Sequence, residues 1–175
     1  RVVLAYHQAE FIRRDADIST CTTVTISPDH DLELRKVTLK NYGPEPRQIE
    51  VTSYLEPVAD GYMNEASHPA FNKLFLESEY NHEHAVFLCK RRVPEKAEAP
   101  FILHMVRVGA GQTSRVEYEN DRARFIGRNN TLADPDALKN HAPLSNTAGF
   151  STDPILSLRV FVEVLPGSDA TVTYM

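Results

Sequence analysis

Residues 31–58 read DLELRKVTLKN, then YGPEP, then RQIEVTSYLEPV. Leu32 and Leu34 share one parity, and Val37 and Leu39 share the other. Side chains alternate faces along a strand, so the apolar phase slips by one residue near Arg35–Lys36. A β-bulge at that point would restore a common inner face and is expected there. Beyond the connector, Ile49, Val51, Ser53 and Leu55 alternate with Glu50, Thr52, Tyr54 and Glu56. Apolar residues in and polar residues out is the pattern of an antiparallel sheet with one buried face. Gly43-Pro44-Glu45-Pro46 cannot continue a ladder, because proline lacks the N–H donor and fixes φ. The stretch therefore predicts two strands with a hairpin-like return between them.

The same reading extends along the chain. Strands are predicted at Val2–Tyr6, Ala9–Arg14, Ser19–Ser27, Leu74–Tyr80, Ala85–Lys90, Phe101–Val108 and Ser114–Glu119. The Thr-rich third run is strongly β-prone. Ala85–Lys90 is apolar on both parities, as in a covered central strand. Leu156, Leu158, Val160, Val162 and Val164 alternate with Ser157, Arg159, Phe161 and Glu163, and Pro166-Gly167-Ser168-Asp169 is predicted to turn them into a terminal hairpin with Ala170–Tyr174. Two stretches break the pattern. Ala59–Lys73 reads as a long loop of the kind that carries function. Asn120–Phe150 is rich in Asn, Asp, Pro and Arg, with one short helix predicted over Asp134–Asn140 from its Asp cap and Pro at the first turn. About ten strands with short turns imply an all-β sandwich or barrel-like pair of sheets, in one domain spanning 1–175.

The totals narrow the function classes. A formal charge of −5 argues against a nucleic-acid surface, which needs clustered Lys and Arg. No apolar run approaches the roughly 18 residues that span a bilayer. The chain opens on Arg1 without a Met or a secretory leader, so a piece of a longer polypeptide is expected. Cys21 and Cys89 lie in separate strand-like runs, either as buried thiols of a reducing compartment or, if their strands face each other, as a bridge. The absence of Trp counts against a self-sufficient sugar platform, although Tyr can take that place.

Few constellations carry chemistry. His82-Glu83-His84 would put two imidazoles on one strand face, but no further ligand has recognisable spacing, so we read a solvated turn and no metal site. In the long loop, Tyr62, His68 and Asn72 are candidates to contact a sugar hydroxyl, the alternative being a His that caps backbone while Phe71 anchors the loop. Arg124 and Arg128 are candidates because guanidinium forks suit hydroxyls and anions, the alternative being a salt-bridged loop over buried Phe125 and Ile126. Glu77 and Glu79 share a strand face, the spacing of a general acid/base pair, but a solvent face explains them without one. Neither a P-loop nor a nucleophile elbow is present, and no cofactor is implied.

Several runs taken in order resemble a known family. They are Ala9–Asp15, Asp31–Arg35 with Thr38–Asn41, Ile49–Glu56, His68–Phe71 with Leu74-Phe75, Asp121–Arg128, and Asp153–Ile155 with Leu158. Together they resemble the N-terminal β-sandwich of the glycoside phosphorylases once grouped as glycosyltransferase family 36 and now as glycoside hydrolase family 94, above all the version in cyclic β-1,2-glucan synthases. The resemblance implies an antiparallel supersandwich of the galactose-mutarotase type. It also implies that the catalytic (α/α) barrel lies outside this chain, so no catalytic residue is carried over, and that the first strands of the sandwich precede Arg1. Expected partners are that barrel, a β-glucan or oligosaccharide, and a second copy of the chain. The expected location is the cytoplasm-facing part of a bacterial protein, an inner-membrane parent included. The matching loops are His68–Phe71 and Arg124–Arg128, with Asn129-Asn130 departing from the family pattern. The competing expectations are a small-sugar epimerase, with His68 or His104 beside a Glu in one concave site, and a pure interaction domain with an exposed apolar patch.

Overall fold

A computed structural model describes residues 1–93, 100–109 and 115–175. Among them are eleven strands: β1 (Val2–Leu4), β2 (Ala9–Asp15), β3 (Ile18–Ile26), β4 (Glu33–Asn41), β5 (Arg47–Thr52), β6 (Leu76–Asn81), β7 (Val86–Arg91), β8 (Phe101–Val108), β9 (Val116–Asp121), β10 (Pro154–Val164) and β11 (Asp169–Tyr174). Three short helices, α1 (Tyr62–Ser67), α2 (Pro69–Lys73) and α3 (Arg122–Ile126), and a 3-10 turn (Asp136–Leu138) complete them. The chain divides into two compact units: Arg1–Val51, Met105–Arg115 and Val160–Met175 form the first, and Thr52–His104 and Val116–Arg159 the second.

In the first unit an antiparallel sheet runs β1-β2-β3-β4-β11-β8. The register corrects the expected bulge. Val24 pairs with Arg35 and Thr23 with Lys36 without interruption, and β11 pairs through the same residues from the other side. Leu34 instead stays on the face opposite to Val37 and Leu39, half-buried among its neighbours. Leu39, Val106, Ala170, Val172 and Tyr174 form the buried end of one face. Fully burying an aliphatic side chain of this size is worth about 1.5–3 kcal/mol.

Neither predicted hairpin forms. β5 leaves β4 to pair with β10, and β11 leaves β10 to sit between β4 and β8. Both connectors are arches between sheets, and one residue ties them together. Asn41 is fully buried; its Nδ2 donates to the carbonyls of Glu45 (2.7 Å) and Val164 (2.9 Å), and its Oδ1 accepts from the Gly43 N–H (2.8 Å). Its own N–H donates to Ser168 O and its carbonyl accepts from Gly167, which turns at φ +70°. Across the layers, the Tyr174 hydroxyl donates to the Val51 carbonyl at 2.8 Å.

In the second unit β6 and β7 pair antiparallel, and β7 is flanked by β6 and β8, in keeping with its apolar character on both parities. The first part of β10 is buried on both faces, Ser157 and Arg159 included, where alternation alone predicted polar residues facing water. The cause is a cover of irregular chain over that face. The predicted helix at 134–140 contracts to the 3-10 turn, while the predicted loop over 59–73 holds α1 and α2, so the chain has more than one short helix.

Candidate functional site

The second unit carries all five candidate residues, and they sit in different settings. α1 is entered through Asp60, whose Oδ1 accepts from Asn64 Nδ2 (3.1 Å) and the Gly61 N–H (2.7 Å), while Oδ2 meets Arg91 at 3.1 Å. Those contacts, Asn64 first, hold the Asp60 carboxyl below its usual range. His68 separates the two helices: its N–H donates to Asn64 O, and its carbonyl accepts from Asn72. Pro69 then opens α2, where its fixed φ suits the first helical position. Tyr62 and His68 stand at the surface, as does Phe71, which lies edge-on to Phe75 at 5.0 Å. Phe71 is not the core anchor that the structural alternative for this loop required. Asn72 points inward, 6% exposed, with its amide between Glu65 and Arg91 (3.5 Å to each).

α3 starts where Asp121 Oδ1 accepts the Arg124 N–H at 3.0 Å, the role of an N-cap carboxylate. Its inner side buries Phe125 and Ile126 against Ala137, Leu144 and Ile155, with the Tyr54 ring 5.1 Å from Phe125. Arg124 and Arg128 remain exposed, Arg124 reaching Thr147 Oγ1 at 3.2 Å. Between them Gly127 adopts φ +82°, where a Cβ would collide with the Asp136 side chain.

A charged ring links the two segments. Lys73 Nζ meets Asp153 Oδ1 at 2.6 Å and Glu56 Oε2 at 3.3 Å. Arg122 Nε meets Glu56 Oε1 at 3.1 Å, and its NH1 meets Asp153 Oδ2 at 3.5 Å. The Tyr54 hydroxyl donates to Glu56 Oε1 at 2.6 Å and accepts from Arg122 Nε at 3.2 Å. The ring joins the end of α2, the chain after β5, the start of α3 and the entry to β10. Glu56 is held below its ordinary range by the Tyr54 hydroxyl first, then by Lys73 and Arg122 against the opposing effect of burial. Burial pulls the Lys73 ammonium down, but Asp153 and Glu56 outweigh it and its pKa rises. Tyr54 is pushed well up, by burial and then by Glu56. The sequence held one signal for this ring: Tyr54 and Glu56, two apart, share a strand face. The partners Lys73, Arg122 and Asp153 are distant in sequence and carry no such mark.

Beneath the irregular segment lies a buried polar floor. Arg159, 1% exposed, donates to the Ala137 and Ala142 carbonyls and to Thr52 Oγ1 (3.1 Å), and pairs with Glu117 at 3.5 Å. Glu117 Oε2 also accepts the Leu144 N–H, and Glu119 accepts from the N–H groups of Asn120, Asp121 and Ser145 and from the Thr147 hydroxyl. Chain with no ladder of its own thus finds its backbone partners in β9 and β10 side chains.

The remaining polar candidates are distributed elsewhere. His82 packs edge-on to Tyr80, and the His84 N–H donates to Asn81 Oδ1, as a turn requires. His104 is enclosed, 6% exposed, its Nε2 2.7 Å from Ser53 Oγ, and so is not open to a sugar. Glu79 pairs with Lys90. Among the described residues no group of three or more His, Cys, Asp or Glu is placed to hold a metal ion. Cys21 and Cys89 are free thiols. No described helix is long and apolar enough to cross a membrane.

Strands arranged in this order, with arches between sheets and a long ordered insertion, define an all-β supersandwich. The chain belongs to the glycosyl hydrolase 94 supersandwich domain family, which it matches over residues 1–175. It is 38% identical over 168 residues to the cyclic beta-(1,2)-glucan synthase NdvB of Rhizobium meliloti (strain 1021), a match covering 95% of this chain and 6% of that protein. Its fold is similar to that of the polysaccharide lyase BACCELL_00875, with TM-score 0.52 and 18% identity over 94% of this chain and 20% of that one. The family expected from the ordered runs is the family found.

Proposed function

We propose that this chain is a non-catalytic supersandwich module of a longer glucan-processing enzyme of bacteria, facing the cytoplasm, that supports the catalytic barrel of its parent and presents Tyr62, His68, Arg124 and Arg128 to a β-glucan. The observation that carries this reading is the charged ring. It spends Glu56, Asp153, Lys73 and Arg122 on one another to fix two irregular segments in place, which is the work of a scaffold. The exposed aromatic, imidazole and guanidinium groups on those fixed segments suit the C–H faces and hydroxyls of a sugar. Asn72 supports this surface from inside. The glucan class is suggested by the name of the related synthase, and the free thiols agree with a reducing compartment.

Calorimetric titration of the chain with linear and cyclic β-1,2-glucans tests the contact. Saturable heat that weakens in His68→Ala and Arg128→Ala supports it. Absence of heat at millimolar glucan removes the contact and leaves the supporting role alone.

A further inference from the structure

Two phenylalanine rings of the second unit stand open to water: Phe71 on α2 is 59% exposed, and Phe150, ahead of β10, is 56% exposed. A scattered exposed ring is ordinary, but these two are held in place by the fold. Phe71 lies edge-on to Phe75 at 5.0 Å, and the Arg91 guanidinium, anchored by Asp60, sits 4.9 Å over the Phe75 ring. The next residue ties the second ring to the first. The Arg92 N–H donates to Phe75 O at 2.8 Å, its guanidinium donates to Leu74 O at 3.0 Å, and the same guanidinium lies 4.2 Å over the Phe150 ring. The backbone that delivers Phe150 is fixed as well. Gly149 exchanges two hydrogen bonds with Ser78 of β6, at 2.7 and 3.2 Å, and its φ of +103° is one that L side chains rarely adopt.

We propose that Phe71, Arg92 and Phe150 form a stacking platform for β-glucan, an inference that rests on the sugar-contact reading and gives it the ring faces that a chain without Trp must find elsewhere. A pyranose has apolar C–H faces and a rim of hydroxyls. Open ring faces take the former, and a guanidinium, which carries more N–H donors than the one that reaches Leu74, takes the latter. Both rings are already held, so they lose little freedom when a sugar settles on them. A protein partner fits less well: two rings and Leu74, divided by a charge, fall far short of the roughly 20–30 residues a side of a specific protein interface.

Fluorine NMR of the chain labelled with 4-fluorophenylalanine, titrated with linear β-1,2-glucan, reads the rings directly, and calorimetry gives the affinities. Phe71→Leu and Phe150→Leu assign the two signals and remove the rings, and Phe11 of the first unit is the control. Where circular dichroism shows a Leu variant to be misfolded, the Tyr variant at that position assigns the signal. The Phe71 and Phe150 signals are expected to move saturably while Phe11 stays. Each Leu variant is expected to bind at least about fivefold more weakly, and Phe150→Tyr, which keeps the ring, to bind as the native chain does. Glucan binding that moves neither signal, or that keeps its native affinity in both Leu variants, overturns the platform and leaves the sugar-contact reading standing. Absence of binding by the native chain overturns both. Signals that move with protein concentration before glucan is added overturn the platform in favour of a second copy.

Discussion

Single residues set the geometry of the irregular segments. Gly127 holds φ +82° beside Asp136, and an added methyl group meets both a backbone penalty and a collision. Gly127→Ala is expected to destabilise the chain by about 1–3 kcal/mol, with part of the loss recovered in Gly127→Ala/Asp136→Gly, as measured by urea unfolding. Arg159 is a sharper case, since its removal leaves Glu117 buried without its cation and takes a donor from two carbonyls. Arg159→Met is expected to cost about 3–5 kcal/mol and Arg159→Met/Glu117→Gln clearly less than the single change, by the same measurement. Among thiols, Cys89 is fully buried and its pKa is pushed up to about 11 by that burial. Ellman titration at pH 8 is expected to leave Cys89 unreacted in the native chain and to count both cysteines once urea is added.

At the scale of elements, the charged ring predicts a two-sided pH response. The folded chain holds the Glu56 proton less tightly than the unfolded chain does. The stabilisation is complete above the ordinary Glu range, about pH 4.3, and fades as pH falls below it. Tyr54 behaves in the opposite sense: its raised pKa stabilises the fold below the ordinary phenol range, about pH 10, and that part is lost as pH rises further. Thermal melts across pH 3–11 check both arms, and Tyr54→Phe is expected to shrink the alkaline one, with Tyr80 and the buried Cys89, whose pKa values are also raised, supplying the remainder. Because the ring side chains are between 18% and 38% exposed, Lys73→Met is expected to cost only about 1 kcal/mol, while limited proteolysis near α2 accelerates. The strands themselves were legible, because alternation and β-branched runs report them locally. The arches at 41–47 and 164–169 were not, since alternation gives the face of a strand and not its partner. Turn residues such as Pro166-Gly167 serve a hairpin and an arch equally well. The bulge near Arg35–Lys36 was inferred from apolar phase alone, and Leu34 found enough cover on the opposite face to make it unnecessary. The short helices over 62–73 escaped notice because neither is long enough to show a helical period.

For the molecule as a whole, the family was legible as an ordered set of weak runs spread along the 175 residues that the family matches. The candidate site was legible only in part. Tyr62, His68, Arg124 and Arg128 were found as exposed polar groups, whereas burial of Asn72 between Glu65 and Arg91 depends on tertiary contacts that no local pattern reports. The ring was invisible for the same reason, its five members being spread from Tyr54 to Asp153. The proposed function has two halves, a module that contacts a glucan and a parent that makes the bonds. Proton NMR of linear β-1,2-glucan mixed with the purified chain tests it most directly. Saturation transfer from protein to glucan protons is expected, with anomeric signals unchanged over a day. Anomeric signals that shift to new species with time would contradict the non-catalytic role, and no transfer at all would contradict the glucan contact.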